Sequence, residues 1–176
     1  TCNIGASRPE DCGDFFAWGE TRTKSDYSWN TYKWGSGEYS LTKYITQSKY
    51  GRVDNKTILE SSDDAARVKW GAPWRMPTME EMEELCNNCT WKWTTQNGVK
   101  GYRVTARNGN SIFLPAGGNM FSNSQLDTNE GWYWLRSLTT GSYPDCAYNM
   151  KFTSGQKGDT HYCTRTRGCN IRPVCP

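Results

Sequence analysis

The stretch Cys146-Ala147-Tyr148-Asn149-Met150-Lys151-Phe152-Thr153-Ser154-Gly155 decides the fold class of this chain. Tyr148, Met150 and Phe152 alternate with Asn149, Lys151 and Thr153, which is the pattern of a half-buried strand with an apolar side and a polar side. Past Gly155 the alternation dissolves into residues 156–168, a run with almost no aliphatic side chain. That run offers donors, acceptors, both signs of charge and an aromatic ring. A sheet ending in such a mosaic presents a binding surface more readily than a reaction centre.

Working outward from that strand, Trp132 to Leu135, Ala147 to Thr153 and Asn170 to Val174 read as strands. A meander precedes them. Thr90 to Thr95, Gly101 to Ala106 and Ser111 to Leu114 are strands joined at Asn97-Gly98 and Asn108-Gly109, pairs suited to tight hairpin turns. Gly117-Gly118 opens a loop that runs to about Gly131. Two short helices come earlier. Ser62 is placed to cap the first, with Asp63 and Asp64 in its first turn and Gly71 as its stop. Thr78 and Glu81 give the second a capping box, and Met79, Met82 and Leu85 recur at helical spacing. Residues 7–57 read as irregular, pinned by rings such as Phe16, Trp18 and Trp34, after a short strand at residues 1–6. The sum is an α+β domain: two short helices packed on twisted antiparallel sheets, with much loop.

Composition fits one domain over residues 1–176 with an aromatic core, because nine Trp and ten Tyr stand beside few Leu, Ile and Val. A net charge of +3 without a long basic block excludes a nucleic-acid function, although residues 132–176 carry a net +4. No apolar run reaches membrane-spanning length, so direct membrane insertion is not expected. Eight Cys favour disulfides, of undetermined pairing, and an extracellular or periplasmic setting. The abrupt opening at Thr1-Cys2-Asn3-Ile4 reads as a processed or trimmed N-terminus.

Catalytic and metal readings fare poorly. Cys86 and Cys89 have redox or zinc spacing, but they close a helix whose C-terminal dipole opposes a thiolate. Cys163, Cys169 and Cys175 do not complete a zinc ribbon. His161 is the only histidine, and no nucleophile elbow surrounds any Ser, so it reads as a surface loop residue. Glu80, Glu81, Glu83 and Glu84 are the solvated side of a helix rather than a glycosidase pair. No cofactor and no metal is expected.

Several segments resemble one family. They are Thr1-Cys2-Asn3-Ile4-Gly5-Ala6, residues 13–21 (GDFFAWGET), Asp63-Asp64-Ala65-Ala66, Trp74-Arg75-Met76-Pro77-Thr78 with Glu81 and Leu85, Cys89-Thr90-Trp91, and Ile171-Arg172-Pro173-Val174. Together they resemble the major paralogous domain of Fibrobacter and Bacteroidales surface proteins, which is similar to the formylglycine-generating-enzyme branch of the C-type lectin-like fold. The order Tyr133-Trp134, Ser137-Leu138, Pro144, Ala147-Tyr148, Phe152, Ser154-Gly155, Arg165, Gly168, Arg172-Pro173-Val174 resembles the variable region of target proteins of diversity-generating retroelements, here about residues 132–174.

The resemblance implies a C-type lectin-like fold and a bacterial protein that is secreted, or displayed on a cell or virion surface. Its ligand would be a protein or glycan on a cell or phage surface, as for an adhesin or a phage receptor-binding module. The implied ligand-binding residues are Thr139, Ser142, Tyr143, Asp145, Asn149, Lys151, Thr153, Asp159, His161, Tyr162, Thr164, Arg165, Thr166 and Arg167. Cys146, Thr160, Cys163 and Cys169 are interspersed among them at diversified positions. The family pattern also holds an Arg at the position of Arg165, which implies a structural role as the alternative for that residue. The lectin triplets that bind sugar through calcium are absent. Two alternatives accompany this reading: a cysteine-dependent oxidase of formylglycine-generating type, using Cys163 and Cys169, and a structural pilus or surface subunit.

Overall fold

The computed structural model describes residues 2–139 and 141–175. It is an α+β fold of two helices and three antiparallel sheets. Helix α1 spans Ala65–Trp70 and helix α2 spans Met79–Asn88. The first sheet has the order β1 (Thr90–Gln96), β2 (Val99–Thr105), β3 (Ser111–Pro115). A small ribbon pairs β4 (Asn119–Phe121) with β5 (Ser124–Leu126). The third sheet has the order β6 (Gly131–Leu138), β7 (Cys146–Thr153), β8 (Gln156–Thr164).

Local chemistry accounts for the helix ends. The Thr78 side chain accepts from the Glu81 N–H while the Glu81 carboxylate accepts from the Thr78 N–H, and Arg75 grips both oxygens of Glu81 at 2.7 Å. Cap and bidentate ion pair therefore fix the entry of α2 together. The first helix is capped by Asp64, not Ser62. The Asp64 carboxylate accepts from Arg67 N–H and from Met76 N–H, tying the helix start to the strand-like entry of the next element. Asn97 and Gly98 both adopt positive φ (48° and 84°), the conformation a two-residue hairpin between right-twisted strands requires.

The β6–β7–β8 sheet is covered on both faces. Tyr133, Leu135, Met150 and Phe152 pack against Met82 and Cys86 of α2 and against Tyr102, Val104 and Leu114 of the first sheet. Trp132, Trp134 and Ala147 face the other way, onto Ile4, Phe16, Trp18, Tyr44, Leu59 and Cys169. Trp18 Nε1 donates to the Leu135 carbonyl and Trp134 Nε1 to the Phe16 carbonyl, so the indoles are buried without orphaned N–H groups. The free side of β6 is occupied by other segments: Trp134 N–H donates to the Asn170 carbonyl, and Leu138 N–H to Thr57. Among the described residues, no further strand pairs with β8 beyond β7.

Several expectations from sequence are corrected. Residues 2–6, the described part of the expected strand at residues 1–6, form no strand; Ile4 donates its N–H to the Ile171 carbonyl and accepts from the Asp14 N–H. Residues 170–174 make isolated bridges, because their partner switches from β6 to Arg75 and Pro173 lacks an N–H. The span from Gly117 to Gly131 contains β4 and β5 rather than loop alone. Strand β8 runs through the segment expected to be irregular. Cys2, Cys12, Cys86, Cys89, Cys146, Cys163 and Cys169 are free thiols, so the expected disulfides are not formed among them.

Candidate functional site

The hairpin of β7 and β8 carries half of the candidate residues. Its register pairs Asn149 with His161 and Lys151 with Asp159, while β6 pairs Trp132 with Lys151 and Trp134 with Asn149. Opposed residues share a face, so Trp132, Lys151, His161 and Asp159 come together on one side of the sheet.

Three rings dominate the exposed part of this region. Tyr143, from the loop between β6 and β7, stacks on Tyr162 with centroids 5.1 Å apart and 22° between planes. His161 lies against Tyr162 at 5.7 Å and meets Trp132 edge-on at 5.6 Å. Tyr143 is 52% exposed and Tyr162 41%, whereas Trp132 beneath is buried. His161 therefore lies in a strand, on a tryptophan, rather than in a loop. Burial, and then the charges of Lys151 and Arg167, push its pKa below the usual imidazole value.

Cations surround the same indole. Lys151 Nζ sits 4.6 Å from the Trp132 centroid and 3.0 Å from a Glu130 carboxylate oxygen, which also accepts from Trp132 Nε1 at 3.0 Å. The Arg167 guanidinium lies 5.4 Å from Trp132 and 5.1 Å from Phe121, and donates to Asn119 Oδ1 at 2.8 Å. Lys151, Thr153, Asp159 and His161 line a shallow hollow of about 180 Å³. Aromatic planes, fixed cations and carboxylates are thus held side by side on a rigid sheet. That arrangement suits recognition.

The remaining candidates divide by burial. Ser142 and Asp159 are exposed, and Asp145, Lys151, Thr153, Thr164 and Arg167 are half-buried. Four are withdrawn from any contact face. Arg165 is 0% exposed, and its guanidinium donates to the carbonyls of Lys43, Tyr44 and Pro144, clamping two loops together. Asn149 is fully buried beside Trp134, its Nδ2 2.9 Å from Cys163 Sγ and its Oδ1 without a partner. Thr139 is buried and spends its hydroxyl on the carbonyls of Tyr143 and Cys146. Thr166 is buried as well.

Residues outside the expected segment reach the same side of the molecule. Gln47 Nε2 donates to the Gly141 carbonyl. Tyr39, 62% exposed, stacks on Tyr50 at 5.3 Å and 8°. Its hydroxyl pKa is raised by a hydrogen bond with Glu38, with the charges of Glu38 and Asp145 adding to the effect. Phe121 is exposed next to Arg167. The sequence signal for Tyr39 and Phe121 is an aromatic among polar residues, which equally describes a ring pinned to the core, and Gln47 carries no such signal.

The buried thiols Cys86, Cys146 and Cys169 are poorly set for chemistry at neutral pH. Burial pushes Cys86 up to about 11 and Cys146 up to about 12. Burial and a contact with Cys163 also raise the fully buried Cys169 well above the usual thiol value. Protonated thiols are weak nucleophiles and weak metal ligands. Among the described residues, no cluster of three or more His, Cys, Asp or Glu side chains is arranged to hold a metal ion, and no helix is long and apolar enough to cross a membrane. Compared with known proteins, the chain matches no family model, no curated protein and no solved structure.

Proposed function

We propose that this chain is a ligand-binding module of C-type lectin-like fold, secreted or displayed on a bacterial cell or virion surface, whose contact face recognises a protein or a glycan. The face is built from Ser142, Tyr143 and Asp145 of one loop, Asp159, His161, Tyr162 and Thr164 of β8, Lys151 and Thr153 of β7, and Arg167. The observation that carries this reading is the exposed Tyr143–Tyr162–His161 stack on a buried tryptophan. Tyrosines held by stacking lose little conformational entropy when a ligand covers them, and each offers apolar area with a polar tip. The variable-region reading is narrowed by burial. Diversified positions would be the exposed ones, with Thr139, Asn149, Arg165 and Thr166 held constant for folding.

The test is a binding screen of the whole chain against arrays of glycans and of purified surface proteins, run beside the double variant Tyr143→Ala/Tyr162→Ala. A defined ligand bound by the parent and lost by the double variant, at unchanged thermal stability, supports the proposal. Equal binding by both proteins contradicts it. So does oxygen-dependent oxidation of a peptidyl cysteine by the purified chain.

A further inference from the structure

A second surface lies outside the aromatic face, between the open edge of β8 and helix α2. The two elements run side by side in opposite directions. Met79, at the start of α2, accepts a hydrogen bond at its sulfur from the Thr160 hydroxyl at 3.4 Å, and Lys157 Nζ donates to the Cys86 carbonyl, near the helix end, at 2.7 Å. A groove of about 480 Å³ separates them, with Glu83 and Asn87 on the helix side and Gln156 to Thr160 on the strand side.

The strand wall of this groove has main-chain groups to offer. Strand β8 is the edge of its sheet, so one side of its backbone is unpaired by any further strand among the described residues, although the Thr160 N–H already donates to Asp159 Oδ1 at 2.7 Å. The pairing register slips between Lys151–Asp159 and Thr153–Gln156, which leaves an unpaired residue in the same stretch. The lining carries two exposed carboxylates, Glu83 and Asp159 on opposite walls, against the single ammonium of Lys157, which donates to the Cys86 carbonyl, and the C-terminal end of the α2 dipole adds to the negative side.

We propose that this groove binds an extended basic peptide segment of a partner protein, which adds to β8 as a further strand and places lysine or arginine side chains against Glu83 and Asp159. Strand addition supplies main-chain hydrogen bonds, and the two carboxylates select the charge. The helix wall limits the occupant to a single extended chain. The groove shares Asp159 with the proposed contact face but does not reach Tyr143 or Tyr162, so Tyr143→Ala/Tyr162→Ala should leave peptide binding unchanged.

The probe is a hexapeptide of alternating lysine and valine, blocked at both ends and titrated into the ¹⁵N-labelled chain. Saturable amide shifts are expected at Glu83, Asn87 and residues 157–160. Glu83→Lys, on an exposed helix position, should weaken binding about tenfold. Replacing lysine by glutamate in the peptide, or N-methylating alternate peptide residues, should abolish it. Four results overturn the proposal: no saturable shift at millimolar peptide, shifts centred on Tyr143 and Tyr162 instead, an affinity unchanged in Glu83→Lys, or self-association of the chain through β8 in place of peptide binding.

Discussion

Replacing Arg165 with Ala separates a folding role from a binding role. The side chain is fully buried and donates to three main-chain carbonyls on two loops. Each charge-assisted hydrogen bond contributes about 1.5–3 kcal/mol when removal leaves its acceptor dry. The sum overstates the loss, because the guanidinium is buried with no carboxylate ion-pair partner among the described residues and its removal relieves that desolvation. A net loss of about 4 kcal/mol is the working value. For a chain of this size it lowers the melting temperature by roughly 8–16 °C. The loss should appear as a shift in the midpoint of urea unfolding followed by tryptophan fluorescence, with an unchanged slope. Arg165→Lys should recover less than half of it, since one ammonium cannot span the three acceptors. Tyr162→Ala, at an exposed position, should cost under about 1 kcal/mol. An Arg165→Ala protein within about 1 kcal/mol of the parent would refute the clamp and return Arg165 to the contact face.

Other outcomes follow from the same geometry. His161 has a lowered pKa, so its folded form resists protonation. Its contribution to stability is intact above the unfolded value of 6.5 and is lost as pH falls through the folded value, and His161→Gln should flatten the urea midpoint against pH in that window. At Asp63, burial opposes ionisation, but hydrogen bonds from Lys43 and Tyr44 and the charges of Lys43 and Lys33 outweigh it and hold the carboxyl below its usual value. That stability is present above the unfolded carboxylate range and disappears in acid, so Asp63→Asn should remove part of the acid sensitivity seen in thermal melts at stepped pH. Alkylation at pH 8, followed by mass spectrometry, should modify Cys86, Cys146 and Cys169 far more slowly in the native chain than in denaturant. Thr78→Ala, which removes the cap of α2, should cost about 1 kcal/mol in urea unfolding.

The elements legible in the sequence are those specified by local chemistry. Thr78 and Glu81 identify the start of α2, Asn97-Gly98 identifies a hairpin, and the apolar side of β7 is where alternation puts it, with Met150 and Phe152 in the core. Strand β8 was not legible because its stability comes from pairing with β7. It has no apolar stripe, and only Thr160, Tyr162 and Thr164 hint at strand preference. Asn149 shows the limit of alternation. It does lie opposite Met150 and Phe152, but that face is roofed by Trp134 and the N-terminal segment, so its polarity did not mean exposure. Arg165 fails for a similar reason. A guanidinium that satisfies carbonyls from residues 43 and 44 depends on a contact across more than a hundred residues of sequence. Tyr143 and Tyr162 were legible as exposed because polar residues flank them, and the structure leaves both rings open.

The most direct measurement is the affinity of one array-identified ligand for the parent chain and for Tyr143→Ala/Tyr162→Ala, with melting temperatures taken on the same samples. A loss of binding by at least about a hundredfold, with the melting temperature moved by less than about 4 °C, is the result expected of a rigid aromatic contact face. Undiminished affinity, or a collapse in stability that accompanies the loss, would contradict it.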